Sequence, residues 1–434
     1  AIRSGSAQAS DNVSEVASQA FTGTIAQNRF VNTIRYESSV DSTININSGR
    51  TLELLSGAIL VAFDVNGAQK RIMGPGNITG GLFNSKNSDF IIHNYNPAST
   101  FTIGAGIIDR SREIQGSTEG LGSLIAGQSV LKVVGSFDAT TLLLSLQVGI
   151  RVDGPGIVPG TVVTRVDVDN RIVGLSLPAQ SNQSGQTYLF TETVNLIQTG
   201  LGTTILSGTN QYTGSTFVHG GVLRLDSQNA IPGGIASTGG TSPIVVEGGI
   251  LGLGVENFSR NLGAGNDRIE FKGNGGFAAY GADRSVSFGG SSTPERLRFG
   301  NQGFVPDGSS LLLGSADATH KLTFQNPLDL GAFSQAINVG NGLADVDAEL
   351  AGDLSGLGRL IKFGLGSLRL GVTNTNSGGI EIAEGRVIAA NVPNVFGSTG
   401  ASTGPVRLGT SRTNTRSGAG IDLQIEGGTI NKRL

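Results

Sequence analysis

The chain has no cysteine and no tryptophan among its 434 residues, and it has only three histidines and one methionine. The absence of cysteine excludes thiolate metal sites, disulfide cross-links and cysteine catalysis. Charged residues are 15% of the sequence, compared with about 25% in ordinary soluble domains. The formal net charge is -3, whereas nucleic-acid-binding proteins are typically basic, so no nucleic-acid partner is expected.

The sequence also lacks long apolar runs and helical periodicity. No run approaches the roughly 18 apolar residues of a membrane helix, so no membrane-spanning segment is expected. The chain begins at Ala1 and shows no secretory leader, which indicates a mature, processed form or a fragment. Only Asn12 to Phe21 has helical spacing, and residues 1–28 are predicted to be a polar arm or linker.

Glycine is abundant instead, at 68 residues. One glycine-punctuated segment occurs twice, since Gly200 to Gly233 matches Gly364 to Gly397 position for position, without a gap. Such repeats are typical of solenoids, whose corners need glycine for positive φ or close backbone approach, or asparagine in the left-handed conformation. The predicted corners are Gly200, Gly202, Asn210, Gly214 and Gly221, and in the second copy Gly364, Gly366, Asn374, Gly378 and Gly385.

Alternation within the repeats predicts which side chains point into the coil. Three short strands fall between Thr204 and Leu225, about the contour of one turn of a three-sided parallel β-helix. Arg224, Arg369 and Glu381 are predicted to face solvent, because an unpaired charge inside a narrow coil is costly. The predicted inward positions are Thr204, Leu206, Thr216, Val218, Leu223 and Leu225, with Leu368, Leu370, Ile380, Ile382, Val387 and Ala389 in the second copy.

Short alternating runs cut by Gly, Asn, Asp or Ser continue along most of the chain and predict an all-β fold. The predicted architecture is a right-handed parallel β-helix, or β-solenoid, with a small inserted β-domain marked by Pro-Gly breaks and a hairpin signal. The predicted units are an arm at 1–28, β-solenoid at 29–128, the inserted β-domain at 129–191, and β-solenoid at 192–434 with repeats at about 199–254 and 363–430.

Residues suited to catalysis are few. The histidines are His93, His219 and His320, and each is predicted to lie at a solvent-facing position. His219 aligns with Ala383 in the second copy, so the repeat does not need it. The Gly-x-Gly corners lack the third glycine and the following helix of a phosphate-binding loop. We therefore expect no catalytic or cofactor-binding residues and no enzyme.

One group of carboxylates suggests a metal. Asp345, Asp347 and Glu349 alternate along a predicted strand and share a face, where calcium could bridge them. The alternative is a solvated strand face, which is favoured because calcium loops usually include a glycine turn. Apart from this calcium alternative, no metal or other cofactor is expected.

The run from Gly200 to Leu225 resembles the autotransporter-associated β-strand repeat. It has the Asn-x-Tyr-x-Gly centre of that repeat at Asn210 to Gly214 and its Gly-Gly-x-Leu close at Gly220 to Leu223, whereas the second copy has Asn376 in place of Tyr212. The segments between the copies, from Val255 to Val346, resemble the inter-repeat segments of exported repeat proteins of planctomycete and verrucomicrobial bacteria. The resemblance implies a passenger-type, β-helical bacterial protein that is extracellular or at the cell surface, and it implies no catalytic residues.

These observations favour a non-enzymatic extracellular structural protein, a protomer or segment of a cell-surface fibre, stalk or layer. Self-association end to end is expected, because an open rung presents unpaired backbone groups. An adhesin that binds cells or glycans is the alternative. A polysaccharide-degrading β-helix enzyme is less favoured, because the chain has no tryptophan and only five tyrosines for sugar stacking.

Overall fold

The structure is a computed structural model, and it describes residues 12–15, 21–81, 87–118, 123–134, 143–290, 294–400, 402–409 and 421–426. A single-turn 3₁₀ helix spans Phe63–Val65, and residues 143–145 are helical. The strands as far as the predicted insertion are β1 (Asn12–Ser14), β2 (Gly23–Ile25), β3 (Arg29–Tyr36), β4 (Ser42–Ile46), β5 (Thr51–Val61), β6 (Lys70–Met73), β7 (Asn77–Gly80), β8 (Asn87–Asn94), β9 (Thr100–Ile103), β10 (Gly106–Ile107) and β11 (Arg110–Gln115).

The central strands include the insertion and the first repeat. They are β12 (Val130–Lys132), β13 (Arg151–Asp153), β14 (Val163–Asp167), β15 (Ile172–Leu175), β16 (Thr187–Gly200), β17 (Thr203–Leu206), β18 (Thr216–Val218), β19 (Val222–Leu225), β20 (Ile244–Val246), β21 (Ile250–Leu253), β22 (Asn261–Leu262), β23 (Arg268–Phe271) and β24 (Gly275–Ala279).

The remaining strands include the second repeat. They are β25 (Arg284–Val286), β26 (Leu297–Arg298), β27 (Ser310–Leu313), β28 (Leu322–Phe324), β29 (Leu328–Asp329), β30 (Gln335–Val339), β31 (Ala348–Leu350), β32 (Leu354–Ser355), β33 (Leu360–Phe363), β34 (Ser367–Leu370), β35 (Ile380–Ile382), β36 (Gly385–Ala389), β37 (Val406–Leu408) and β38 (Ile421–Ile425).

The strands stack in parallel from one rung, a full turn of the coil, to the next. Sheet 1 runs β1-β3-β5-β8-β16-β18-β20-β23-β22, and sheet 2 runs β2-β4-β6-β9-β17-β19-β21-β24-β27-β30-β33-β35-β37. Sheet 3 (β25-β28-β31-β34-β36-β38) and sheet 4 (β26-β29-β32) begin where sheet 1 ends. The main core lies inside the coil and extends from Val13 to Val406. The chain is thus an all-β parallel β-helix, as its alternation predicts.

A phenylalanine cluster fills the coil where sheet 1 gives way to sheets 3 and 4. Phe288 is 1% exposed and has the rings of five other phenylalanines within 6.2 Å, centroid to centroid. The buried members of the cluster are Phe258, Phe271, Phe277, Phe288, Phe299, Phe304 and Phe324. The contacts between these large rings stabilise the coil where its sheets change.

The insertion has its own sheet and its own core. Strands β12, β15 and β14 form an antiparallel sheet, and β11 and β13 pair antiparallel with β16. A separate hydrophobic cluster runs from Ile114 to Phe190. It includes Leu124, so it contains residues that precede the predicted start at residue 129.

The described part of the predicted arm is not an arm. Within residues 1–28, β1 pairs in parallel with β3, and β2 pairs with β4, so these residues form the first rung. The helical candidate from Asn12 to Phe21 is a strand over Asn12–Ser14, and residues 16–20 lie outside the described residues. The prediction was wrong here because the three-residue strands are too short to show alternation.

A buried ion pair fastens this first rung to its neighbours. Glu15 accepts hydrogen bonds from the backbone N–H groups of Phe21 (3.0 Å) and Ser38 (3.1 Å) and from Lys70 Nζ (2.7 Å). Lys70 Nζ also donates to the Val40 carbonyl at 2.6 Å. The side chains of the pair are at most 1% exposed, so loss of either partner would leave a buried charge uncompensated.

The alternation rule is confirmed at all twelve predicted inward positions, since each of these residues is buried. Of the three charges predicted to face solvent, the side chains of Arg224 and Arg369 are each 26% exposed. Glu381 is a correction, because it is only 8% exposed and its carboxylate accepts a hydrogen bond from Arg359 at 3.4 Å. Partnering with a guanidinium permits this outward-pointing carboxylate to be covered.

Candidate functional site

The two repeats form compact rungs. Register partners on successive rungs are close in sequence, as in Thr203 with Val222, and Ser367 with Arg386. By contrast, Gly276 of β24 pairs with Leu312 of β27, much further along the chain. The three strands predicted between Thr204 and Leu225 are present, but β17 and β19 share sheet 2, so one rung of the first repeat has two strands and a strandless side.

The copies lie on different sides of the coil. Strands β17, β18 and β19 of the first copy belong to sheets 2, 1 and 2, whereas the equivalent β34, β35 and β36 belong to sheets 3, 2 and 3. The inward side chains are nevertheless equivalent, because alternation depends on position within each strand and not on which sheet contains it. The two copies are therefore the same unit rotated by one side.

A buried asparagine holds the strandless side of the first copy. Asn210 is 4% exposed, and its Oδ1 accepts a hydrogen bond from the Ile107 N–H of one neighbouring rung at 2.8 Å. Its Nδ2 donates to the Ala230 carbonyl of the rung on the other side at 2.6 Å. One amide thus ties three rungs together where no β-ladder runs.

The second copy repeats this arrangement. Asn374 is 1% exposed, its Oδ1 accepts from the Leu354 N–H at 2.7 Å, and its Nδ2 donates to the Val395 carbonyl at 2.6 Å. Neither asparagine is among the described non-glycine residues with positive φ. The prediction of a left-handed corner was therefore wrong for Asn210 and Asn374, and the side-chain amide is what the position uses.

The predicted corner glycines fall into two matched classes. Positive φ occurs at Gly200 (98°), Gly221 (61°), Gly364 (79°) and Gly385 (67°). The others are Gly202, Gly214, Gly366 and Gly378, where a Cβ would overlap, respectively, Asn96 O, Val194 O, Gly340 O and backbone atoms of Gly358. Both classes need glycine, but for different reasons, since one needs its conformation and the other needs room for the adjacent rung.

A buried polar group follows the asparagine in each copy. The Tyr212 hydroxyl and Thr216 Oγ1 are 2.6 Å apart, and Thr216 Oγ1 lies 3.0 Å from Ser242 Oγ. Burial raises the pKa of Tyr212 to about 12. In the second copy Asn376 Nδ2 donates to the Gly379 carbonyl at 3.1 Å, so a buried polar side chain occupies this position in both copies.

Asp347, the central residue of the carboxylate group suggested for calcium, serves the backbone instead. It is 3% exposed, and its two oxygens accept hydrogen bonds from the Gly342 and Ser367 N–H groups at 2.7 Å each. Asp345 is exposed at the same corner. Among the described residues, no group of three or more His, Cys, Asp or Glu side chains has metal-binding proximity.

Glu349 belongs to a ladder of alternating charge on the outer face of sheet 3. It accepts hydrogen bonds from Lys321 Nζ at 2.9 Å and from Arg369. Arg369 also pairs with both carboxylate oxygens of Glu426, at 3.1 and 2.9 Å, beyond the last described strand. The hydrogen bonds from Arg369 lower the pKa of Glu426. These exposed pairs order neighbouring rungs and contribute little stability individually.

The histidines lie apart and contact aromatic or hydroxyl groups. His93 is half-buried and stacks on Tyr95, with centroids 6.4 Å apart, and the exposed His219 stacks on Phe217 at 5.7 Å. His219 Nδ1 also lies 3.5 Å from a Glu247 carboxylate oxygen. His320 is half-buried, and its Nδ1 lies 2.8 Å from Thr319 Oγ1.

Sequence patterns do not reveal the clasp, residues 314–320, that covers the outer face of sheet 2. Val222, Ala278, Tyr280 and Ala318 form a buried cluster outside the main core. The Tyr280 hydroxyl donates to Asp317 Oδ1 at 2.7 Å, and Thr203 Oγ1 donates to Asp317 Oδ2 at 2.6 Å. The clasp therefore reaches back from β27 as far as β17, a contact between residues 114 positions apart that no local pattern indicates.

No helix among the described residues has the length and hydrophobicity that crossing a membrane requires. A family model described as the passenger-associated-transport-repeat matches residues 196–225 and 360–389. These segments keep the register of the sequence repeat and are shorter than the predicted bounds of 199–254 and 363–430.

No curated protein matches the chain. Among solved structures, the chain is similar to the Gp54 tailspike of Acinetobacter baumannii bacteriophage AP22, determined in complex with a capsular saccharide of A. baumannii. The identity is 10% over 88% of this chain, which spans 64% of the tailspike chain, and the TM-score is 0.17. The two repeat matches and the parallel sheets confirm the predicted resemblance: the chain is a parallel β-helix that carries two passenger-associated-transport repeats, and such repeats imply a secreted or surface protein.

Proposed function

We propose that the chain is a non-enzymatic structural segment of a fibre, stalk or layer outside the bacterial cell, and that it assembles by stacking of coil ends. The observation that carries this proposal is the continuity of sheet 2, whose strands stack in order from β2 to β37 over one core. Such a coil is stiff along its axis and can be extended rung by rung.

The outermost described strands suit such extension. They are β1 and β2 at one end and β37 and β38 at the other. A strand added to either edge, from a continuing chain or from another copy, would gain main-chain hydrogen bonds at an existing template. This supports stacking as the mode of assembly.

Proline at Leu408 tests end stacking with little damage to the fold. Gly409 N–H donates to the Ile382 carbonyl, so alternation in a parallel ladder directs the Leu408 N–H away from β35 and toward the side of β37 on which sheet 2 has no further described strand. Leu408→Pro removes that outward donor, whereas Arg407→Pro would remove an inward one. We expect the purified chain to form fibres by electron microscopy and Leu408→Pro to shorten or abolish them at unchanged thermal midpoint. A chain that remains monomeric at all concentrations would contradict stacking.

The non-enzymatic part of the proposal has a separate test. The chain is incubated with bacterial and plant polysaccharides, and reducing ends and unsaturated products are measured. We expect neither to appear above the level of a heat-denatured sample. Release of either product would establish a polysaccharide-degrading enzyme.

An adhesin is the second candidate. The stacked pairs His93–Tyr95 and Phe217–His219 favour it, because they present flat rings on the outer side of sheet 1 beside polar groups. Binding of the chain to immobilised glycans or cells, lost on changing Tyr95 and Phe217 to alanine, would support adhesion over a purely structural role. Unchanged binding by this double variant would exclude these rings as the site.

A further inference from the structure

The clasp covers the outer face of sheet 2 over four of its middle strands. Over β17, β19, β21 and β24 the clasp covers outward side chains such as Val222 (6% exposed) and Ala278 (0%). The chain therefore supplies its own cover for these four strands.

The strands that follow β27 have an apolar outer surface without such a cover in the described part of the chain. On β33, the outward Ile361 and Phe363 are partly exposed. The corners on either side of these strands carry the exposed Phe333 (72%), Leu343 (77%), Leu357 (72%) and Leu365 (59%). We call these six residues the bare patch. Exposed apolar side chains grouped in one region of a surface are a feature of interaction sites.

We propose that the bare patch packs against the same patch of a second copy of this chain, so that coils pair side by side. The proposal rests on the proposed structural role, because the contact is useful where many copies are aligned. It differs from end stacking in using the side of the coil.

The charges around the bare patch fit a copy of itself. Its six defining residues are uncharged, and Asn338 is the polar residue between Leu312 and Phe363 in the register of sheet 2. The rim carries both signs, with Asp345 at one corner and Arg359 at the other, the latter already paired with Glu381. A surface with an apolar centre and a rim of mixed charge meets itself without net repulsion, as an isologous contact requires.

The size of the bare patch fits a weak pairwise contact. About ten residues of extended chain at roughly 3.3 Å each, over two rungs about 4.8 Å apart, give a surface on the order of 300 Å² per copy. That is below the roughly 600 Å² per partner of the smallest stable complexes. Avidity along an array of stacked coils would convert such a contact into firm lateral association.

The absence of cysteine makes the proposal directly testable by cross-linking. Asn338→Cys places a thiol at the centre of the bare patch, where a two-fold contact brings the two copies of residue 338 together. Asn45→Cys is the matched control, because Asn45 is also exposed on the outer face of sheet 2 but lies on β4. Under mild oxidation we expect disulfide-linked dimer to form at least about tenfold faster for Asn338→Cys than for the control.

A second substitution shows whether the bare patch drives the contact. In the Asn338→Cys background, Leu357→Asp is expected to lower the dimer yield by about tenfold. Leu201→Asp is expected to leave it unchanged, although Leu201 is 70% exposed in an equivalent Gly-Leu-Gly corner. Both leucines are exposed, so circular dichroism should show that both variants fold.

Three outcomes overturn the proposal: equal cross-linking of the two cysteines, no response to Leu357→Asp, or patch-dependent binding of lipid vesicles by a chain that does not self-associate. Fibres that form without cross-linking at residue 338 would refute lateral pairing and leave end stacking supported. Cross-linking that persists in Leu408→Pro under conditions where this variant forms no fibres would support lateral pairing even if end stacking failed.

Discussion

Replacing Asn210 with alanine tests the central element of the repeat. The substitution removes a side chain that hydrogen-bonds the strandless side of its rung to the rungs on both sides. It leaves the Ile107 N–H and the Ala230 carbonyl without the partners they have at 2.8 and 2.6 Å. The methyl group of alanine fills part of the site and admits no replacement donor or acceptor.

The cost follows from two buried backbone groups that lose their partners. A buried donor or acceptor left unsatisfied costs about 1–3 kcal/mol, so the two together predict a loss of about 4 kcal/mol. Asn374→Ala should cost the same within about 1 kcal/mol, since its hydrogen bonds are equivalent at 2.7 and 2.6 Å. Asn338→Ala is the control, because an exposed asparagine should change stability by less than about 0.5 kcal/mol.

Urea unfolding measures the effect, with hydrogen exchange by mass spectrometry to locate it. Long coils can unfold in parts, so exchange of residues 105–108 and 228–231 shows whether the loss is local to the three joined rungs. We expect faster exchange in both segments for Asn210→Ala and in neither for Asn374→Ala. A cost below about 1 kcal/mol for both asparagines would refute the bridging role.

Three further predictions concern the corners, the core and pH. Both Gly221 and Gly49 have positive φ, so alanine at Gly49 should lower the free energy of urea unfolding by about 1–2 kcal/mol from the left-handed conformation alone. Gly221→Ala should lower it further, because a Cβ at Gly221 would overlap Gly202 O whereas one at Gly49 has open space. Equal decreases for the two variants would contradict close stacking of rungs. Phe288→Ala should lower the free energy of unfolding by about 3–5 kcal/mol. A decrease below about 2 kcal/mol would count against the phenylalanine cluster as a main stabilising contact where the sheets change. Tyr212 has its pKa raised from 10.0 to about 12, so its contribution is complete below pH 10 and is lost as pH rises toward 12. Tyr212→Phe should therefore lose less stability over that range, and parallel stability curves for the two proteins would disprove this.

The fold could be predicted from sequence where the pattern is local. Inward positions such as Leu206 and Leu370 follow from alternation within a strand, which is a property of the backbone alone. The glycine corners follow for the same reason, because Gly200 and Gly364 are needed wherever the chain turns with positive φ. Where a backbone conformation favours a single residue type, the presence of that residue in the sequence indicates the conformation.

Features set by distant contacts could not be predicted. The partners of Asn210 lie 103 and 20 residues away, so its role as a bridge is absent from its own surroundings in sequence. Alternation predicts that Glu381 faces solvent, but it cannot reveal the Arg359 partner on the adjacent rung. The first rung could not be predicted for the same reason, because its ion pair joins Glu15 to Lys70, 55 residues later in the sequence. In each case a local rule fails because a neighbouring rung supplies the deciding contact.

Because the two repeats lie on different sides of the coil, recombination between them would change the direction in which later surface features point. β33 lies six strands beyond β17 in sheet 2, and the second copy begins on the next side, at β34. Recombination between equivalent positions of the copies, such as Gly200 and Gly364, would excise the stretch between them and rejoin the chain with its inward side chains still in phase. Everything downstream would then point in a new direction around the axis. Loss of a single rung would shorten the coil and leave that direction unchanged. The length of the coil and the direction of its surface features around the axis can therefore evolve separately.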